Sequence, residues 1–268
     1  MSLVLACGQF SPSAGDIAAN VATMLDQMQQ AAGSGAALIV FPELALTGYL
    51  PPEEVTPLAV APVGPEMAPL RQAAERLGVA VALGFPELAP DGIRYNSMAY
   101  ISGSGDVAYV YRKTHLWDTE KQWATPGSTV GTFEAAGVRA GMWICYDTRF
   151  PEVGRLVAVN GGTLALVATA WLGPADEWEL AVRARALDNG LYVVASALQG
   201  QHASYRFNGS SLIVDPHGNV LGRIPEGRQA IVTAGYDPAV VQGFRARLPL
   251  LAHRRLDAYA PLGKAADW

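Results

Sequence analysis

Residues 16–43, DIAANVATMLDQMQQAAGSGAALIVFPE, carry two periodicities in succession. Asp16 can cap a helix in which Ile17, Val21, Met24, Leu25 and Met28 share one face. Gly33 and Gly35 supply stop signals, and the apolar run 37–41 then reads as a strand. The same kind of alternation extends along the chain. Runs at 3–10, 79–85, 96–101, 107–111, 138–145, 163–169, 191–197, 210–214 and 230–235 are rich in Val, Ile and Leu and bounded by turn residues. Helical patterning falls at 66–77, 152–159 and 176–187. Gly103-Ser104-Gly105-Asp106 and Asp215-Pro216-His217-Gly218-Asn219 read as hairpin turns. Strands alternating with helices, with hairpins added, predict an α/β fold with mixed β-sheets. No linker or low-complexity block divides residues 1–268, so one domain is expected. From about residue 237 the chain changes character: Arg245, Arg247, Arg254 and Arg255 lie among prolines and leucines, which reads as an extended arm covering either a partner or its own domain.

Half of the 268 residues are hydrophobic and only 16% are charged, which excludes a disordered chain. A net charge of −5 argues against binding nucleic acid through phosphate neutralisation. Mean hydropathy is +0.17, yet an uncharged apolar-leaning stretch such as 161–173 is short of the ~20 residues of a spanning helix and contains Gly, Thr and Trp. The N-terminal MSLVLACGQF lacks the basic region of a signal peptide and reads as a first strand with an inward Cys7. Two distant cysteines, Cys7 and Cys145, do not make a disulfide scaffold, and a cytoplasmic setting is expected. Lysine is scarce, at positions 113, 121 and 264 only.

Several familiar motifs fail. Gly103–Ala108 fits a dinucleotide fingerprint formally, but a strand follows it, so no helix N-terminus would face a pyrophosphate. There is no Gly-x-Ser-x-Gly elbow or phosphate loop, and His115, His202, His217 and His253 lack metal-ligand spacing. What remains are three reactive residues, each directly beyond an apolar run: Glu43, Lys113 and Cys145. Separations of 70 and 32 residues allow them to come from different strands of one sheet, at strand ends where α/β folds hold ligands. Singly, Cys145 reads as a packing cysteine, Lys113 as a snorkelling side chain and Glu43 as a cap. Together, acid, amine and thiol are the set needed for acyl transfer through a thioester.

Phe41-Pro42-Glu43-Leu44 with Thr47-Gly48-Tyr49, Tyr111-Arg112-Lys113-Thr114-His115-Leu116, and Cys145-Tyr146-Asp147-Thr148-Arg149-Phe150-Pro151-Glu152 resemble the nitrilase superfamily of carbon–nitrogen hydrolases, in its amidase-like branch. The resemblance continues through Ala184–Asn189 and Gly209–Pro216, and so covers essentially the whole chain. It implies a four-layer αββα sandwich and hydrolysis of an amide to acid and ammonia. By this resemblance Glu43 matches the general base, Lys113 the oxyanion-stabilising cation and Cys145 the nucleophile. The Tyr146 N–H matches the second oxyanion donor, and Glu120 the second active-site glutamate. Trp117 departs from the Phe common at its position, which bears on pocket shape. Of three Phe-Pro-Glu triplets only the first aligns with the base; Glu87 is expected in a loop and Glu152 at a helix start. Tyr49 and Trp171 are pocket candidates by position. Aromatic walls favour small aliphatic amides. Arg149 and Arg206 keep ω-amides and N-carbamoyl amino acids open, with nitriles ranked lower and a non-catalytic binding protein as the rival of another class. The resemblance implies neither metal nor organic cofactor, and pairing into a homodimer or higher homo-oligomer.

Overall fold

The computed structural model describes residues 3–263, so the first two residues and the last five of the predicted arm lie outside the described residues. Helix α1 (Ile17–Gly33) forms where its periodicity and cap place it. The Asp16 side chain accepts the Ala19 N–H at 3.0 Å, and Val21, Met24 and Met28 are buried. Gly35, in the left-handed region at φ 73°, turns the chain into the next strand. The remaining helices are α2 (Pro52–Val55), α3 (Ala68–Leu77), α4 (Pro151–Val159), α5 (Ala175–Asn189), α6 (Pro238–Arg247) and α7 (Leu256–Tyr259).

The first five strands are β1 (Leu3–Gln9), β2 (Leu38–Val40), β3 (Ala80–Leu88), β4 (Arg94–Ile101) and β5 (Val107–Arg112). Next come β6 (Thr132–Ala135), β7 (Val138–Ile144), β8 (Leu164–Thr169) and β9 (Tyr192–Ala197). A separate hairpin pairs β10 (Gln199–His202) with β11 (Tyr205–Asn208). The last three are β12 (Leu212–Val214), β13 (Val220–Arg223) and β14 (Ala230–Tyr236).

One six-stranded sheet runs β14-β1-β2-β3-β4-β5, the other β13-β12-β9-β8-β7-β6. Each has three parallel strands at its centre, β1-β2-β3 and β7-β8-β9, flanked by antiparallel partners. The sheets stack face to face. Leu5, Cys7, Leu38, Val40, Ala82 and Met98 of the first share a core with Met142, Ile144, Leu166, Ala168 and Val194 of the second. Two hydrogen bonds stitch them: Cys7 Sγ donates to Ala195 O at 3.3 Å, and Ser196 Oγ to Gly8 O at 2.6 Å. Burial pushes the Cys7 thiol up to about 12, so it stays protonated and inert, a packing residue.

Helices α1 and α3 cover the outer face of the first sheet through Val21, Met24, Met28, Leu70 and Ala73. Helices α4 and α5 cover the second through Val153, Val157, Trp178, Val182 and Ala186. The result is a four-layer αββα sandwich. Among the described residues no helix is long and apolar enough to cross a membrane.

All ten strands and four helices read from the sequence are present, with ends shifted by at most a few residues. Strands β6, β10, β11 and β13 were not read because each is only four residues long and mixes polar with apolar side chains. The segment read as an arm from 237 begins as a helix packed on its own domain rather than as extended chain. Asp237 accepts the Ala239 N–H at 2.8 Å and Pro238 opens α6, which docks Val241 and Phe244 on its own chain. Arg245 Nη2 then donates to Gly162 O at 2.7 Å and to Asn189 O at 3.2 Å.

Gly84 shows how tightly the first sheet holds its loops. A Cβ there would stand 2.5 Å from Leu44 N and 2.6 Å from Glu43 Cα, where the chain leaving β2 crosses β3. We expect Gly84→Ala to lower stability by about 1–3 kcal/mol, the usual cost of overpacking. Gly33→Ala, a helical position with nothing within 4 Å, should hold or raise it. Urea midpoints check both, and an unchanged midpoint for Gly84→Ala would contradict the close approach.

Candidate active site

Strands β2, β3 and β5 run in one direction, and so do β7, β8 and β9, so their carboxyl ends gather along a common rim. Glu43 lies three residues beyond β2, Lys113 directly beyond β5 and Cys145 directly beyond β7. The expectation of a single sheet is corrected: Glu43 and Lys113 come from the first sheet and Cys145 from the second. Stacking brings the two rims together, so the site spans the sandwich. Glu43 Oε2 accepts the Ala170 N–H, just past β8, at 2.7 Å. Cys145 Sγ donates to the carbonyl of the same Ala170 at 3.6 Å.

Two turns hold the reactive side chains in backbone conformations that L-residues avoid: Cys145 at φ 47°, and Leu44, the neighbour of Glu43, at φ 49°. Cys145 opens a 3₁₀ turn, Cys145–Arg149, on leaving its strand.

Lys113 is fully buried, with Nζ 2.7 Å from Glu43 Oε1 and 2.6 Å from Glu120 Oε1. Asn96 Nδ2, from β4, donates to Glu43 Oε1 at 2.8 Å and reaches Glu120 Oε1 at 3.4 Å. Burial alone would depress the lysine, but Glu120 and Glu43 outweigh it and hold the ammonium well above the usual range. Two carboxylates against one ammonium leave excess negative charge in a dry site. Burial therefore pushes Glu120 up to about 7, against the pull of Lys113 and with the repulsion of Glu43. Glu120 is kept in place by the Trp117 N–H, which donates to its Oε2 at 3.0 Å. Burial and the Glu43 carboxylate also push the Cys145 thiol up, so it rests protonated.

Asp147 fastens the cysteine turn to the lysine loop. Its buried carboxylate accepts Tyr111 Oη at 2.7 Å and the Ile144 N–H at 3.1 Å on Oδ2. On Oδ1 it accepts Thr114 Oγ1 at 2.8 Å and the His115 N–H at 2.9 Å. Glu87 corrects another expectation, since it lies within β3 rather than a loop. It is buried, accepts Ser97 Oγ at 2.6 Å and pairs with Arg112 Nη2 at 2.6 Å, beside Lys113. Glu152 stands exposed in the first turn of α4, where the helix dipole accounts for it.

A pocket of about 270 Å³ opens over these groups. Tyr49, Trp117, Glu120, Cys145, Tyr146 and Trp171 line it, so the residues chosen for pocket positions do meet there. The Tyr49 hydroxyl is buried without a hydrogen-bond partner among the described residues, and its ring packs on Tyr205 and Phe207 of the β10–β11 hairpin. Arg149 and Glu177 form the rim, paired at 2.6 Å with both side chains about half exposed, an arrangement that contributes little to stability. Arg206 lies elsewhere, beside a separate cleft with Gln199, Asn208 and Glu226. Sequence reasoning missed Asn96, Asp147, Glu177 and the Ala170 backbone. A polar Asn opening an apolar run was the one visible signal for Asn96.

Glu120 makes a pH test. Between the ordinary carboxylate value of 4.5 and about 7, the folded protein holds a proton that the unfolded chain has released. This contribution is present at low pH and lost as pH rises through about 7. Wild type should therefore lose stability relative to Glu120→Gln between pH 5 and 8. Thermal melts of the two proteins read the difference, and a gain with rising pH would contradict the assignment.

The carbon–nitrogen hydrolase family model matches residues 4–246. The chain is 34% identical to a deaminated glutathione amidase of Mus musculus, over 91% of this chain and 81% of that one. It is 35% identical to an (R)-stereoselective amidase of Pseudomonas sp, over 77% and 75% of the two chains. Among solved structures, a mutant of the amidase from Nesterenkonia sp. AN1 superposes with a TM-score of 0.82 at 25% identity, covering 96% of this chain and 95% of that one. That structure shows covalent addition of the acetamide moiety of fluoroacetamide at the active site cysteine. With its αββα sandwich and this rim, the chain belongs to the carbon–nitrogen hydrolase family of the nitrilase superfamily and is a hydrolase of carbon–nitrogen bonds.

Proposed function

We propose that the protein hydrolyses a small, uncharged aliphatic amide to carboxylic acid and ammonia through a thioester on Cys145. The observation that carries this reading is a buried ammonium paired with two carboxylates directly behind one small pocket, which Glu120 and the Cys145 thiol line. The covalent acetamide moiety on the active site cysteine of the Nesterenkonia amidase supports the same chemistry.

Glu43 accepts the Cys145 proton as sulfur attacks the amide carbonyl, since a thiol held above its usual range needs a base at the moment of attack. Lys113 and the Tyr146 N–H stabilise the oxyanion in the tetrahedral intermediate. The lysine serves without any proton transfer of its own, because its carboxylate neighbours keep it charged. Collapse of the intermediate breaks the C–N bond, and Glu43 gives its proton to the departing ammonia. Glu43 next takes a proton from water as hydroxide attacks the thioester, and sulfur leaves with that proton. Glu120 holds the Lys113 ammonium at 2.6 Å alongside Glu43. Tyr49, Tyr146 and Trp171 shape the substrate space.

Charge chooses the substrate class. Arg149, the one cation among the described residues lining the pocket, is already paired with Glu177, which disfavours ω-amides and N-carbamoyl amino acids. Residues 1–268 act as one hydrolase domain in the cytoplasm. Exposed Leu156, Leu180 and Leu187 on α4 and α5 offer apolar surface for a homodimer, which light scattering at micromolar concentration would show and a monomer would refute.

Ammonia release from propionamide, succinamate, a carbamoyl amino acid and propionitrile tests the reaction. Propionamide should be fastest, with an acyl adduct seen by mass spectrometry in wild type and none in Cys145→Ala. Adduct formation in that variant, or release from the nitrile alone, would overturn the proposal.

A further inference from the structure

The rim of the pocket holds a carboxylate in a built seat. Glu177 Oε1 accepts Arg149 Nη2 at 2.6 Å and Trp171 Nε1 at 3.1 Å. The Arg149 guanidinium also lies over the Trp171 ring, 4.6 Å from its centroid. Gly173 keeps the seat open. A Cβ on it would stand 2.7 Å from Trp171 Nε1 and closer still to Glu177 Oε1. Three donors or clearances from separate residues thus converge on one oxygen of an α5 side chain.

This is also the geometry by which a protein binds the carboxylate of a ligand: a guanidinium, an indole N–H and a space cleared by glycine. We propose that Glu177 is the specificity-determining residue of the pocket, an internal carboxylate that occupies the Arg149–Trp171 anion receptor and so excludes amides bearing a free carboxylate. The inference rests on the amide-hydrolase reading and deepens it. An anionic substrate must both displace Glu177 from Arg149 and lie against its negative charge. An uncharged amide meets a pocket rim whose two charges already cancel. Since a half-exposed pair adds little stability, its consequence lies in what it denies to a ligand.

The test separates binding from turnover. In the Cys145→Ala background, which removes the nucleophile, calorimetry measures succinamate and propionamide with Glu177 intact and as Glu177→Gln. The ratio of succinamate to propionamide affinity should rise about 10-fold, the worth of one charge-assisted hydrogen bond. Adding Arg149→Leu should return the ratio to its starting value, and salt should narrow the gain. An unchanged ratio, a gain that persists without Arg149, or no succinamate binding to the Glu177→Gln protein would overturn the proposal. Failure of the amidase reading shows separately, as absence of ammonia from wild type on any amide.

Discussion

A lysine ammonium buried between two carboxylates is the interaction around which the rim is organised. Removing three charges from water is costly, and their mutual attraction repays that cost only with good geometry and satisfied lone pairs. The structure meets the condition with Asn96 and the Ala170 N–H on Glu43, and the Trp117 N–H on Glu120. These partners come from β4, from the end of β8 and from the residue that caps a 3₁₀ turn at Asp118–Gln122. A charge cluster of this kind could not exist on one strand. Its three charges gather from β2 and β5 of the first sheet and the turn after β5, and the second sheet adds the Ala170 N–H across the sandwich.

The same requirement explains the supporting polar groups. Asp147 accepts from Tyr111, Thr114, His115 and the Ile144 N–H, and thereby locks the loop after Lys113 to the strand before Cys145. Glu87 and Arg112 do comparable work one residue before Lys113, with Ser97 as a third partner. Each of these buried carboxylates has its donors, which fixes its position in the rim. Toward solvent the constraint relaxes, and the Arg149–Glu177 pair at the pocket mouth concerns ligands more than folding.

Legibility followed periodicity. Long, strongly apolar strands such as β1, β3 and β8 were readable because burial on both faces leaves an unbroken apolar run. Helix α1 was readable from its cap and stripe. Short mixed strands such as β10 and β11 were not, since their pairing is decided by neighbours that the local sequence does not name. In the site, Glu43, Lys113 and Cys145 stood out as reactive groups ending apolar runs. Asn96, Asp147 and Glu177 carry no such local mark, and the Ala170 amide and carbonyl belong to the backbone.

The sequence by itself determined the class of fold, the order of the longer elements and the reactive trio, because hydrophobic period and strand-end chemistry are written locally. Tertiary structure decided which sheet each residue came from, how the charges balance and which cation is already occupied. Those are properties of distance and burial. Glu43 and Lys113 are 70 positions apart in the chain and 2.7 Å apart in space, and that distance holds a buried glutamate and a buried lysine as an ion pair.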